Sequence, residues 1–189
     1  PDVLITGKSG FIAAAALRRM RELPGVRAEA VSVRGGQWKD LDLSRYDCIV
    51  HTAGVAHVSP DPSLADAYRT VNFELTRDLA QKAKADGCPH FIFLSSMIVF
   101  GQATRTGERR FISPDTPPAP VNAYGQSKLD AENALRALEG GAEIFSMTLT
   151  AATKAQAKRF CERWPSRAPF LYQTIMEQLG EAESEEKNS

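Results

Sequence analysis

The sequence predicts an α/β protein with a doubly wound parallel sheet. Over residues 1–100, short apolar runs rich in Val, Ile and Phe alternate with longer stretches of helical pattern. A glycine-rich turn separates the first apolar run from the first helical one. Length and composition fit one ordinary domain: 189 residues, 43% hydrophobic and 24% charged, with 13 Gly and 11 Pro. Two full-sized domains do not fit. The 23 Lys and Arg balance the 23 Asp and Glu, so no general attraction draws the chain to nucleic acid or to an anionic membrane surface. Apolar uncharged runs such as Phe11–Leu17 and Phe91–Gln102 fall short of the roughly 18 apolar residues a bilayer span needs. The opening residues are unlike a secretory signal. Three widely spaced cysteines, Cys48, Cys88 and Cys161, read as reduced thiols without metal-ligand spacing, and the expected location is the cytoplasm.

The elements follow in order. Val3–Thr6, Ala28–Val33, Cys48–Thr52 and Phe91–Ser95 suit strands buried on both faces. Phe11–Leu23, Pro62–Asp86 and Ala123–Leu138 carry helical patterns. Strands alternating with helices imply a parallel sheet, and right-handed crossovers make it doubly wound. Residues 102–123 hold Arg105, Arg109 and Arg110 and then Pro114, Pro117, Pro118 and Pro120, the mark of an irregular surface loop. After Gly140-Gly141 the pattern loosens. Glu143–Leu149 suits one more strand, Ala151–Trp164 and Phe170–Leu179 suit helices, and residues 181–189, with four Glu, suit a frayed tail. The organisation expected is a cofactor-binding part over 1–140, a mostly helical, atypical extension over 141–180, and the acidic tail.

Thr6-Gly7-Lys8-Ser9-Gly10-Phe11-Ile12-Ala13 lies between a predicted strand and a predicted helix. Glycines there let backbone approach a pyrophosphate, and the helix start offers free N–H groups and the positive end of its dipole. Ala13 stands where the third glycine of such turns packs helix against strand. The spacing excludes a phosphate loop of the nucleotide-hydrolase kind. At the end of the second strand, where an acid usually holds the adenosine ribose, the chain has Arg34. That residue tilts the cofactor choice between NAD and NADP towards NADP, although an exposed Arg beside the Gly35-Gly36 turn is the competing reading.

Tyr124-Gly-Gln-Ser-Lys128 places a phenol and an ammonium at i and i+4, on one face of a predicted helix. A Tyr of pKa near 10 is a poor base at neutral pH, and a lysine one turn away would stabilise its phenolate. Such a pair can take a hydroxyl proton while hydride leaves the same carbon.

Several stretches together resemble the extended short-chain dehydrogenase/reductase family, the NAD-dependent epimerase/dehydratases of nucleotide sugars. They are Val3-Leu-Ile-Thr-Gly-Lys-Ser-Gly-Phe-Ile12, Tyr46-Asp-Cys-Ile-Val-His-Thr-Ala-Gly54, Val71-Asn72, Phe91-Ile-Phe-Leu-Ser-Ser-Met-Ile-Val-Phe-Gly101 and Tyr124-Gly-Gln-Ser-Lys-Leu-Asp-Ala-Glu132. They run in family order over residues 1–139. The resemblance implies a Rossmann-type fold. It implies that Ser96 hydrogen-bonds the reacting oxygen, that Tyr124 is the catalytic base or acid, and that Lys128 holds the nicotinamide ribose and lowers the tyrosine pKa. It further implies cofactor contacts at Gly7, Ser9, Gly10, Phe11 and Ile12, at Arg34, at Asp40 and Leu41 near the adenine, and at Thr52, Ala53 and Gly54, with Asn72 bracing the neighbouring backbone. His51 reads as a packed strand residue, and His57 and His90 carry no motif.

Dehydratases of the family place an Asp-Glu pair after the serine. Here Met97-Ile98 stand there, so epimerisation or a simple ketone/alcohol exchange of a nucleotide sugar, a UDP-sugar first of all, is the expected reaction. No metal is expected. The resemblance also implies a homodimer packed through the helices of 62–86 and 123–138. Past residue 140 the family signatures stop, which reads as a truncated or atypical C-terminal part. A non-catalytic dinucleotide-binding protein or inactive fragment is the alternative expectation.

Overall fold

The computed structural model describes residues 1–55, 63–101, 112, 116–138 and the backbone of 143–147. The expected helices at 151–164 and 170–179, the acidic tail, Cys161, His57 and most of the Arg- and Pro-rich loop lie outside the described residues.

Five parallel strands form one sheet in the order β2-β1-β3-β4-β5: β1 Asp2–Thr6, β2 Arg27–Val31, β3 Cys48–His51, β4 His90–Leu94 and β5 Glu143–Met147. The fold is the α/β, doubly wound parallel sheet of Rossmann type. Its fifth strand lies past residue 140. Strand order reverses between β1 and β3, the crevice where open α/β sheets bind ligands beyond their carboxyl ends. The register pairs Thr6 with His51 and His51 with Phe93. Gly7 and Thr52 therefore leave the sheet level with each other along its carboxyl edge, and β4 runs one residue further, to Leu94.

Alternate residues face opposite sides of a strand, and both sides here are apolar. Val3, Ile5, Val50 and Ile92 are buried on one side, and α1 (Phe11–Arg21) buries Ala13 and Met20. Leu4, Ile49, Phe91 and Phe93 on the other side cluster with Leu79, Ala80 and Ala83 of α3 (Leu75–Ala85) and with Ala131 and Leu135 of α4 (Ala123–Ala137). Arg18, Arg19 and Arg21 occupy the last turn of α1, where they complement the helix dipole. Pro24 and Gly25, with φ +74°, then turn the chain away.

Two expectations are corrected. The second strand ends at Val31 and not at Val33, because the N–H groups of Gly7 and Lys8 take the Val31 carbonyl at 3.0 and 3.1 Å, closing the ladder as the glycine turn begins. Val33 instead turns into the core. The long helix of 62–86 is not uniform: α2 (Leu64–Ala67) and α3 flank a π-helical stretch, Tyr68–Glu74. Apolar periodicity cannot register the extra residue per turn of such a stretch, and π turns concentrate at functional sites.

Candidate active site

Gly7 has φ +90°, a conformation that L side chains avoid. A Cβ there would also meet Thr52 Oγ1 at 3.0 Å and the Ala53 backbone at 3.1 Å. Thr52 is held in turn by donating to the Thr6 carbonyl at 2.6 Å. Gly10 is the N-cap of α1 with no side-chain cap, and its own N–H bonds the Gly7 carbonyl at 2.7 Å. The first N–H groups of α1 therefore lack internal partners at the positive end of the dipole. Ser9 and Gly10 are exposed, as are Phe11 (88%) and Ile12 (51%). Bare backbone beside an open helix start fits the pyrophosphate of a dinucleotide. Ala13 is fully buried, so the small side chain in place of a third glycine still lets α1 lie against β1.

Arg34 is exposed directly after buried Val33, and its N–H bonds the Oγ of exposed Ser32 at 3.3 Å. Asp40 is exposed at the end of the 3-10 turn Gln37–Asp40, which buried Trp38 seats in the core; Leu41 packs against the core cluster. These three lie on the β2–β3 connection, apart from the Tyr124 helix.

The end of β4 is stitched to α4 at three levels. Lys128 Nζ donates to the Leu94 carbonyl at 3.0 Å, Ser95 Oγ donates to the Glu132 carboxylate, and the Ile98 carbonyl packs where a Cβ on Gly125 would stand 3.1 Å away. Asn122 caps α4, accepting from Gly125 N at 2.7 Å. Ser96 caps the 3-10 turn Met97–Phe100 and accepts from Ile98 N at 3.4 Å, which leaves its hydroxyl proton free to donate. The stitching brings the Ser96 strand end to the first turns of α4, which bear Tyr124 and Lys128. Lys128 is only 7% exposed, its ammonium 4.6 Å from the Phe93 ring centre. Burial pushes its pKa down to about 8, with the Glu132 charge acting the other way. Tyr68, in the π-helical stretch, packs its ring 5.7 Å from that of Tyr124 at 60°.

A buried polar chain joins the two halves of the site. Thr76 Oγ1 donates to the Asn72 carbonyl at 2.7 Å, so at 2.9 Å it accepts from His51 Nε2. His51 Nδ1 is then the bare nitrogen, receiving the Thr6 hydroxyl at 2.6 Å. Burial, and then the Lys128 charge, push the imidazole down to about 3, so it is neutral. Asn72, fully buried, accepts from Val55 N at 2.7 Å and donates to Val55 O at 3.0 Å and Ser127 Oγ at 3.2 Å. Ser127 donates to the Tyr124 carbonyl at 2.7 Å. Gly54 keeps this junction open, since a Cβ there would meet Asn72 Oδ1 at 3.1 Å and Lys128 Nζ at 3.5 Å.

His51 is thus the packed residue expected of it. Glu132, Ser95, Ser127 and Tyr68 were not singled out by sequence, although Glu132 stands at i+4 from Lys128 and so was marked by the same helical spacing. A separate cleft of about 410 Å³ lies at the opposite end of β1 and β2, lined by Asp2, Arg27, Glu29 and Arg45 among others. Its charges pair with one another, Arg27 with Asp2 and Arg45 with Glu29, and it is remote from Tyr124. Among the described residues no group of three His, Cys, Asp or Glu could hold a metal, and no helix is long and apolar enough to cross a membrane.

Comparison with known proteins places this geometry. The model of the NAD dependent epimerase/dehydratase family matches residues 3–155. The UDP-glucose 4-epimerase of Vibrio cholerae is 35% identical over 137 residues, 71% of this chain and 41% of that protein. The N-acetyl-alpha-D-glucosaminyl-diphospho-ditrans,octacis-undecaprenol 4-epimerase of Escherichia coli O157:H7 is 28% identical over 148 residues, 71% and 43% of the two. The structure of MoeE5 with UDP-glucuronic acid and NAD is 28% identical, with a TM-score of 0.64 over 77% of this chain and 52% of that one. The UDP-glucuronic acid 4-epimerase of Bacillus cereus with NAD, 19% identical, shares the fold, with a TM-score of 0.66 over 78% and 55%. The chain spans about two fifths of the length of the curated relatives it matches. By its matched span, its sheet and its glycine turn, it is a member of the NAD dependent epimerase/dehydratase family.

Proposed function

We propose that this chain provides the cofactor-binding and proton-transfer half of a nucleotide-sugar epimerase or related reductase, acting on a UDP-sugar. The carrying observation is the clamp of α4 on the end of β4, which gathers Ser96, Tyr124 and Lys128 at the carboxyl edge beside the crevice. A nicotinamide dinucleotide, when bound, supplies the acceptor and donor of hydride. Gly7, Ser9, Gly10, Phe11 and Ile12 would hold its pyrophosphate side. Thr52, Ala53 and Gly54 would line its path towards Lys128, and Asp40 and Leu41 its adenine. The relatives point to NAD, while exposed Arg34 offers a partner for the 2′-phosphate of NADP.

Ser96 donates its free proton to the reacting sugar oxygen. Tyr124, as phenolate, takes the hydroxyl proton from that oxygen while the carbinol carbon loses hydride. Lys128 stabilises the phenolate across one turn of helix. The keto sugar, turned over, regains hydride on its other face, and Tyr124 returns the proton. Met97 and Ile98, in the turn after Ser96, offer neither acid nor base for eliminating water, which favours this cycle over dehydration. A homodimer packed through α3 and α4 belongs to the same reading, and light scattering giving a monomer would remove that part of it.

The test is a panel of UDP-sugars incubated with the chain and NAD or NADP, with Tyr124→Phe alongside. Conversion lost by at least 10²-fold in the variant, the low end of what a positioned acid–base group contributes, supports the reading. Cofactor binding without conversion, unchanged by the variant, overturns it in favour of a non-catalytic dinucleotide-binding protein.

A further inference from the structure

Tyr124, Lys128, Glu132 and Arg136 follow one another at intervals of four on α4, a single column in which a phenol, a cation, an anion and a cation alternate. The anion is unusual in its setting. Glu132 is 6% exposed, and a carboxylate so far from water is costly unless every partner is in place. One oxygen accepts from Ser95 Oγ and the other from Arg136 Nη2 at 2.8 Å. Arg136 reaches in from a half-exposed position. Core packing alone would be served better by an apolar side chain.

The partners of Glu132 and Lys128 are neighbours in sequence. Lys128 holds the Leu94 carbonyl and Glu132 holds the Ser95 hydroxyl, so two adjacent residues of the strand end are fixed by two adjacent turns of α4. The next residue is Ser96. We propose that Glu132 is a positioning residue of this site, setting Ser96 through Ser95 and serving as the counter-charge to Lys128. This inference rests on the reading of Ser96, Tyr124 and Lys128 given above.

The surroundings of Lys128 leave that counter-charge to Glu132. β3 presents His51, buried and neutral. β4 presents the Phe93 ring and the Leu94 carbonyl. The chain after β3 presents Gly54, and the π-helical stretch presents Asn72 and, against Tyr124, Tyr68. Its own helix presents Tyr124, Glu132 and, beyond Glu132, Arg136. Among these groups Glu132 is the one carboxylate. Burial drives the ammonium towards its neutral form, and Glu132 opposes that.

The test titrates Lys128 in the ligand-free full chain by the carbon shift of labelled lysine side chains, assigned with Lys128→Arg. The parent should titrate at about 8. Glu132→Gln keeps an acceptor for Ser95 but removes the charge, and the Lys128 midpoint should fall by about one pH unit. Arg136→Gln removes the charge that competes for Glu132 at some cost in stability, and in the folded variant the midpoint should move up. Ser95→Ala should leave the midpoint in place. In turnover of a UDP-sugar, Glu132→Gln should bring the alkaline limb of the pH–kcat profile down by the same amount, whereas Ser95→Ala should lower kcat with the limb unmoved. An unmoved Lys128 midpoint in both folded charge variants overturns the inference. A parent that neither binds dinucleotide nor converts sugar defeats the functional reading instead, and the midpoints still decide the role of Glu132.

Discussion

His51 gives a stability prediction that can be worked from its surroundings. The imidazole is fully buried between Thr6 and Thr76 and its pKa is pushed down to about 3, against about 6.5 in an unfolded chain. The folded state therefore refuses a proton that the unfolded state accepts. The contribution is whole above the unfolded value and is lost as pH falls from about 6.5 towards 3. At pH 5 the unfolded histidine is almost fully charged and the folded one almost fully neutral, so the loss between pH 7 and pH 5 is about 2 kcal/mol. This figure hardly depends on where below pH 4 the folded histidine titrates. Lys128, lowered to about 8, stays protonated in both states across this window and adds no slope. Asp2, held low by Arg27, and Glu29, held low first by the Tyr46 hydroxyl, lose their contributions mainly below about pH 5. His51→Gln offers an amide donor to Thr76 and an oxygen to Thr6 but cannot titrate. Urea unfolding at both pH values should show the parent losing about 2 kcal/mol more than the variant. Equal losses would mean that His51 is protonated or solvated in the fold, and the buried chain as drawn would be wrong.

Other perturbations probe the same framework. Gly125→Ala puts a methyl 3.1 Å from the Ile98 carbonyl and from Pro120 Cβ; overpacking of about 1–3 kcal/mol is partly offset by roughly 1 kcal/mol of helix propensity. Turnover should thus fall far more than the urea midpoint moves, and a proportionate fall in both would contradict this. Asn72→Ala strands the Val55 N–H and cuts the link to Ser127, at a cost of about 2 kcal/mol in unfolding free energy; a change within about 0.5 kcal/mol would show the bracing to be idle. Arg34→Ala should weaken NADP by roughly tenfold, the worth of a hydrogen bond to a charged group, and leave NAD unchanged, as read by a binding titration. Equal effects on the two would remove Arg34 from 2′-phosphate contact.

Much of this site was legible because its signals are local. A strand, a glycine turn and a helix start are adjacent in the chain, so Gly7, with its positive φ, and Gly10, whose Cβ would stand 3.1 Å from the Gly7 carbonyl, stood out before any fold was known. Tyr124 and Lys128 share a helical face by spacing alone. What sequence did not reveal depends on pairing across the fold. Ser95 meets Glu132 across 37 residues and Thr6 meets His51 across 45, and nothing in either neighbourhood foretells the other. The π-helical stretch was hidden for a different reason: its residues Tyr68–Glu74 are helical in composition, and the shift in hydrogen bonding along them leaves no compositional trace. The early end of β2 at Val31 likewise follows from a bond to Gly7, in the turn after β1.

On the reading proposed above, the bare backbone of the Gly7 turn and the open start of α1 hold a dinucleotide. Equilibrium titration of the full chain with NAD and NADP, beside Gly7→Ala, tests it most directly, because the added Cβ meets Thr52 and Ala53 in a backbone conformation that alanine avoids. Saturable, one-to-one binding should weaken by at least roughly tenfold, about 1.4 kcal/mol, in a variant that remains folded. No saturable binding of either dinucleotide to the parent, or equal affinity in parent and variant, would contradict it.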